Sequence, residues 1–245
     1  MLKIIERPSP NFNERQGVAG PDILIMHYTG MQTCEAAVAR LTSAEARVSS
    51  HYTIDEDGTI YRHVPEDLRA WHAGVSLWRG LSDINSRSVG IEIVNPGHEF
   101  GYRAFPSVQI DAVIALGREI VARHRIPARN VIAHSDIAPD RKEDPGELFP
   151  WKQLAASGVG LWVEAEDNGE ASLALGATGE RVAALQSALA RYGYGIETNG
   201  LFDPYTRLVV VAFQRHFRPA VFDGVADGET LAILRALMER LDAVA

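Results

Sequence analysis

The stretch from Ala133 to Gly146, AHSDIAPDRKEDPG, places an imidazole, an ammonium and a carboxylate within one short loop, on His134, Lys142 and Asp144. Neutral imidazole nitrogen and carboxylate oxygen are the ligand types of a catalytic zinc, and an ammonium beside such a metal is placed to stabilise a developing oxyanion. One loop offers only two ligands, whereas a catalytic zinc usually takes three from the protein and leaves the fourth position to water. The candidate for the third is His27, which follows the apolar run Ile23, Leu24, Ile25, Met26 and precedes Tyr28, Thr29 and Gly30, where a strand should end. Val131, Ile132 and Ala133 lead into His134 in the same way. Two neighbouring strands can thus bring two histidines to one edge of a sheet, and Asp144 can close the site.

Periodicity indicates which elements must position these groups. From Asp22 to about Gly158 strand-like and helix-like segments alternate, which predicts an α/β domain. Ile23 to His27 reads as a strand and Thr33 to Ser43 as a helix. His51 to Ile54 and Thr59 to Val64 read as a hairpin joined by Asp55, Glu56, Asp57 and Gly58. Val89 to Val94 is a further strand. Ile110, Val113, Ile114, Gly117, Ile120 and Val121 mark one face of a long helix, started near Pro106 and Ser107 and stopped before Pro127. Val131 to His134 is the last strand. The acidic segment VEAEDNGEA, Val163 to Ala171, reads as a linker. Beyond it the pattern is purely helical, with Val182, Leu185 and Leu189, then Val209, Phe213 and Phe217, then Leu231, Leu234, Met238 and Leu241 each marking an amphipathic helix. The connections echo one another: Gly200, Leu201, Phe202 and Asp203 precede the second helix and Val221, Phe222 and Asp223 the third, with Asp227 as its N-cap. The expected division is a catalytic domain over 1–160, a linker over 161–172 and a three-helix domain over 173–245.

The chain has 245 residues, 46% hydrophobic and 23% charged, enough for two folded domains. Asp and Glu number 32 against 24 Lys and Arg, a net charge of −8, which argues against nucleic acid as the main partner. Cys34 is the only cysteine, so neither an intrachain disulfide nor a thiolate zinc cluster can form. No apolar run is long enough for a signal-peptide core or a membrane span. The expectation is a cytoplasmic monomer without an integral membrane segment, with a periplasmic or envelope location as the alternative.

With these residues in place, the first domain resembles the zinc-dependent N-acetylmuramoyl-L-alanine amidases of type 2, relatives of the peptidoglycan recognition proteins, from about Pro21 to Trp151. The resemblance rests on HYTG at His27, SSHYTIDEDGTIYRHV from Ser49, AWHAG from Ala70, SVGIEIVN around Glu92, and AHSDIAPDRKEDPGELFPW. The C-terminal region resembles a three-helix peptidoglycan-binding module through GERVAALQSALARYGY from Gly179 and GLFDPYTRLVVVAFQRHF from Gly200. The resemblance implies a central mixed sheet flanked by helices, plus a small three-helix bundle. It also implies Zn2+ on His27, His134 and Asp144, Glu92 and Lys142 as catalytic groups, and a peptidoglycan or muropeptide substrate cut between muramic acid, or its 1,6-anhydro form, and L-alanine. In the phage-lysozyme branch the residue before the position of His51 is a tyrosine; here it is Ser50, which puts more weight on Glu92.

Blander roles compete at several positions. By itself Glu92 reads as a carboxylate in an apolar strand, paired with Arg87. His51, Trp71, His72 and Asn85 are candidate substrate contacts; for His51 and His72 a structural or ligand-orienting role is an equal reading, and Trp71 can equally be a core anchor. His124 reads as a packed or capping histidine, and His63, His98 and His216 as surface or structural residues without a converging partner. For the whole chain the competing function is a non-catalytic wall-binding protein, which loss of a zinc ligand would favour.

Overall fold

The computed structural model describes residues 2–167 and 169–243. Met1, Asn168, Val244 and Ala245, which belong to the ends of the expected domains and to the expected linker, lie outside the described residues. The chain forms two compact units. The first comprises Met1–Ser76, Asp83–His134 and Asp144–Leu161. The second takes Trp162–Ala245 together with two earlier segments, Leu77–Ser82 and Ser135–Glu143.

In chain order the first unit contains β1 (Ile4–Glu6), β2 (Phe12–Glu14), β3 (Ile23–Tyr28), α1 (Cys34–Thr42), β4 (Tyr52–Ile54), β5 (Ile60–Arg62), β6 (Leu68–Ala70), α2 (Ile84–Arg87), β7 (Ser88–Ile93), α3 (Gly97–Phe100), α4 (Ser107–His124) and β8 (Val131–Ala133). The short helix α5 (His134–Ile137) runs from its last residues into the second unit, and α6 (Trp151–Ala156) completes it. Six strands form a mixed sheet in the order β1, β5, β4, β7, β3, β8, and β2 pairs with β6 in a separate antiparallel ribbon. Strands β7 and β3 at the centre run parallel and are almost wholly buried, which is why they read as continuous apolar runs.

The ends of the elements follow the expected chemistry. Thr33 caps α1 by accepting from the Ala36 amide at 3.2 Å. The β4–β5 hairpin turns at Gly58, whose φ of +83° suits glycine. Helix α4 buries Ile110, Val113, Leu116, Gly117 and Ile120. Strands β1, β2 and β6 were not anticipated, because three residues are too few to show alternation. His134 is also not part of the last strand: the ladder with β3 ends at Ala133 opposite Met26, and His134 opens α5.

The second unit contains α7 (Glu180–Tyr192), α8 (Pro204–Phe217) and α9 (Gly228–Asp242). Asp203 caps α8 through the Thr206 amide at 2.7 Å, and Asp227 caps α9 through the Thr230 amide at 3.0 Å. The internal echo is real but shifted from the sequence reading. The match to Gly200–Asp203 is Gly224–Asp227: Gln186 accepts from Gly200 N at 2.8 Å, and Gln214 accepts from Gly224 N at 2.9 Å. Among the described residues no helix is long and apolar enough to cross a membrane.

Candidate metal centre and active site

Strand pairing sets the first part of the site. In the parallel register His27 on β3 lies opposite Glu92 on β7, and Glu92 lies opposite Thr53 on β4. Paired residues of neighbouring strands share a face, so these three side chains form one row. Arg87 is not the partner of Glu92; its guanidinium is engaged by Asp22, with Nε 3.0 Å from Oδ1. The Glu92 Oε2 atom is buried, in a strand otherwise filled by Ile91 and Ile93.

His134 and Asp144 meet His27 in a closed triangle. His27 Nδ1 lies 2.9 Å from His134 Nδ1 and 2.9 Å from Asp144 Oδ2, and His134 Nδ1 lies 3.0 Å from that same oxygen. All three residues are buried. Tetrahedral zinc with bonds of about 2.1 Å would set such atoms roughly 3.4 Å apart, about half an ångström wider than the triangle.

Hydrogen bonding behind the two imidazoles decides what the triangle can hold. The Ser88 hydroxyl donates its one proton to Ile84 O at 2.7 Å, so towards His72 Nε2, 3.2 Å away, it can only accept. His72 therefore carries its proton on Nε2 and accepts on Nδ1, which is 3.0 Å from His27 Nε2. His27 in turn carries its proton on Nε2, and its Nδ1 is bare. The His134 Nε2 donates to Ala73 O at 3.1 Å, which leaves its Nδ1 bare as well. Burial, followed by the neighbouring His27 ring, pushes the His72 pKa well down and keeps it neutral. With both rings neutral, as a metal ligand must be, three electron-pair donors converge at one buried point, which is the arrangement of a cation site. The residues present fit zinc.

Each orienting group is itself held. Asn85 is buried, and its side-chain oxygen accepts from the backbone amides of His72 at 3.0 Å and Ala73 at 2.8 Å, fixing the segment that orients both ligands. A side chain at Gly90 would overlap the His72 ring, so glycine lets that ring lie against β7. Beyond Asp144, the Tyr102 hydroxyl donates to Pro145 O at 2.8 Å and accepts from Leu148 N at 3.0 Å. Arg15 gathers the carbonyls of Ser86 at 2.9 Å and Ser88 at 3.0 Å, bracing α2, and burial lowers its pKa to about 10. Arg15 and Tyr102 were missed because their partners are backbone carbonyls and amides, which leave no mark in side-chain spacing.

The remaining predicted residues are held by partners of their own. His51 is fully buried, accepts on Nδ1 from Gly90 N at 3.0 Å and donates from Nε2 to Leu68 O at 3.1 Å. Burial, aided by Arg15, lowers its pKa to about 3. Trp71 is half-buried, with its indole N–H on Asn13 Oδ1 at 2.7 Å. Ser50 is buried and donates to Tyr52 O. Lys142 belongs to the second unit, is half-buried, and donates its backbone N–H to Ala138 O at 3.0 Å. Three histidines without an expected partner have one: His63 bonds Thr53 and Arg7 O, His98 pairs with Glu147, and His216 pairs with Asp136. His124 pairs with Glu66.

The family model described as N-acetylmuramoyl-L-alanine amidase matches residues 17–147, a span that includes the whole triangle and Glu92. The chain belongs to this amidase family. A second model, described as a putative peptidoglycan binding domain, matches residues 178–234. The amidase is 41% identical over 231 residues to N-acetylmuramoyl-L-alanine amidase AmiD of Escherichia coli, covering 89% of this chain and 82% of the relative. It is 34% identical to 1,6-anhydro-N-acetylmuramyl-L-alanine amidase AmpD of the same organism, over 60% of this chain and 87% of the relative. Among solved structures, AmpDh3 from Pseudomonas aeruginosa in complex with anhydromuramic pentapeptide matches with a TM-score of 0.80 at 34% identity, covering 98% of this chain and 99% of that one. AmiD in complex with the substrate anhydro-N-acetylmuramic acid-L-Ala-D-gamma-Glu-L-Lys matches with a TM-score of 0.77 at 39% identity, covering 94% and 98%.

Proposed function

We propose that this amidase hydrolyses the bond between N-acetylmuramic acid, in its 1,6-anhydro form above all, and the L-alanine of the stem peptide, with zinc held by His27, His134 and Asp144. The observation that carries this reading is the buried triangle of two imidazole nitrogens and a carboxylate oxygen, 2.9 to 3.0 Å on a side. The anhydromuramyl ligands named for the AmiD and AmpDh3 structures support the substrate class. A wall-binding protein without catalysis has no need of three intact ligands beside a half-buried carboxylate, so the second reading loses its main support.

Zinc held by His27, His134 and Asp144 would supply Lewis acidity and lower the pKa of a water towards neutral. Glu92, in the same row as His27, takes that water's proton and returns it to the departing alanine nitrogen. Lys142, two residues before Asp144 in the chain, supplies a positive charge for the carbonyl oxygen as it becomes an oxyanion. Trp71, half-buried beside His72 in the chain, is the proposed substrate contact, while His72 orients His27 and His51 and Asn85 hold the backbone behind them.

In this proposal residues 1–160 catalyse, 161–172 link and 173–245 bind wall polymer, in a monomer. Release of free peptide from anhydromuropeptide, measured beside zinc content, tests the activity. A chain that binds zinc but releases no peptide would overturn it. Comparing anhydromuropeptide with intact sacculi separates a cytoplasmic recycling enzyme from an envelope enzyme, and cell fractionation tests the cytoplasmic expectation directly.

A further inference from the structure

Asp136 presents a second buried meeting of imidazole and carboxylate, in the helical unit. Its side chain has 0% exposure, as complete a burial as any charged group can have. Both carboxylate oxygens are bonded by residues of the helical part: the Tyr194 hydroxyl donates to Oδ1 at 2.7 Å and His216 Nδ1 donates to Oδ2 at 2.7 Å. The His216 ring lies flat against Phe217, with centroids 4.0 Å apart. The grip extends along the segment. Leu77 N donates to Ile137 O at 2.9 Å, and Arg215 bonds Glu143 at 2.7 Å. Leu77 and its neighbour Trp78 are held in turn: the Trp78 indole is fully buried edge-on to Tyr192 and Tyr194, and Arg79 N donates to Gly193 O at 2.7 Å.

The segment so held, Ser135–Glu143, begins one residue after the ligand His134 and ends one residue before the ligand Asp144. It also carries Lys142, whose backbone is folded back on Ala138. A buried carboxylate that loses a hydrogen-bond donor drives its segment to rearrange, since leaving the charge unpaired is costly. Placement errors of an ångström can cost about a hundredfold in rate.

We propose that His216 and Tyr194 are positioning residues for catalysis: by clamping Asp136 they set the Ser135–Glu143 segment, and through it Lys142, so the helical unit serves the reaction as well as any polymer it binds. This rests on the role proposed for Lys142. A soluble anhydromuropeptide offers no polymer to bind, so any loss on that substrate is separate from wall attachment.

The test uses the full chain with measured zinc content. His216→Ala should lower kcat about 30-fold with KM within about twofold. His216→Asn, which can return an amide donor near the Nδ1 position, should recover most of that loss. Sedimentation with sacculi should be unchanged, and amide exchange over 135–143 should quicken. In a Lys142→Ala background the loss caused by His216→Ala should shrink to under about threefold, because the residue it serves is gone. Tyr194→Phe removes one hydrogen bond at nearly constant volume and carries the same test if His216→Ala fails to fold. An unchanged kcat in a folded chain carrying Tyr194→Phe and His216→Ala would overturn the proposal, as would a loss kept in full beside Lys142→Ala. Full activity of Lys142→Ala alone would remove Lys142 from the proposed function and this inference with it, whereas an impaired Lys142→Ala with additive His216 effects would overturn the inference only.

Discussion

Two buried clusters in this molecule use the same residue types to opposite ends. At the triangle, Asp144 faces two imidazole nitrogens at 2.9 and 3.0 Å, both bare because their protons are engaged elsewhere. In the helical unit, Asp136 faces an imidazole N–H and a phenol O–H, each at 2.7 Å and each supplying a proton. Distances and burial barely distinguish them. Proton count does: the first cluster has an excess of electron pairs that a cation must balance, while the second satisfies its carboxylate internally. A histidine beside an aspartate therefore becomes a ligand or an anchor according to what lies behind the ring.

The strongest test of this contrast is to remove a member of each cluster and measure metal. His27→Ala should abolish zinc binding and leave peptide release at the detection floor, whereas His216→Ala should keep its zinc. Metal analysis of both purified chains checks this, and zinc loss from the His216 variant alone would reverse the assignment. Within the catalytic cluster, Glu92→Gln keeps the shape and loses the base. It should retain zinc while kcat falls roughly a thousandfold. Near-normal turnover would take Glu92 out of the mechanism. Lys142→Ala should retain zinc with a loss of about a hundredfold, borne mainly by kcat, as expected when a charge acts on the oxyanion and not on ground-state binding.

A smaller effect should come from Asn85→Ala, which leaves all three ligands in place but frees the backbone of His72 and Ala73. Zinc affinity should fall about tenfold, read by competition with a chromogenic chelator. Unchanged affinity would mean that the rings hold their tautomers without that support.

The ligands were legible because they follow apolar runs at strand ends, as His27 follows Ile23–Met26 and His134 follows Val131–Ala133. The central strands and α4 were legible for the same reason, a long apolar period. Glu92 stood out as a carboxylate within such a run. The groups that orient the ligands were not legible: Ser88 and Ala73 act through one hydroxyl and one carbonyl, and nothing in their spacing marks them. His216 was misread as partnerless because Asp136 lies 80 residues away in the chain. The helical echo is legible but shifted: VFD shares the aromatic of GLFD, whereas the glycine and capping aspartate that carry the repeat are Gly224 and Asp227.

His51 permits a finer test of how the ligand cluster keeps its rings neutral, because it does not touch the ligands. Its pKa in the folded chain is lowered to about 3, by burial first and Arg15 second, from an ordinary value of 6.5. Between those values the unfolded chain binds a proton at this ring and the folded chain does not. Stability from the neutral ring is therefore complete above pH 6.5 and declines on acidification, by about 1.4 kcal/mol per pH unit until the folded pKa is reached. His51→Asn keeps an acceptor for Gly90 N but cannot titrate. Denaturant unfolding at saturating zinc should show the wild-type chain more stable than this variant at pH 7, with the gap narrowing by about 1.4 kcal/mol for each unit below 6.5. A gap independent of pH would mean that the ring is already protonated, or reaches solvent, in the folded chain, and the neutral scaffold behind the metal ligands would lose one of its members.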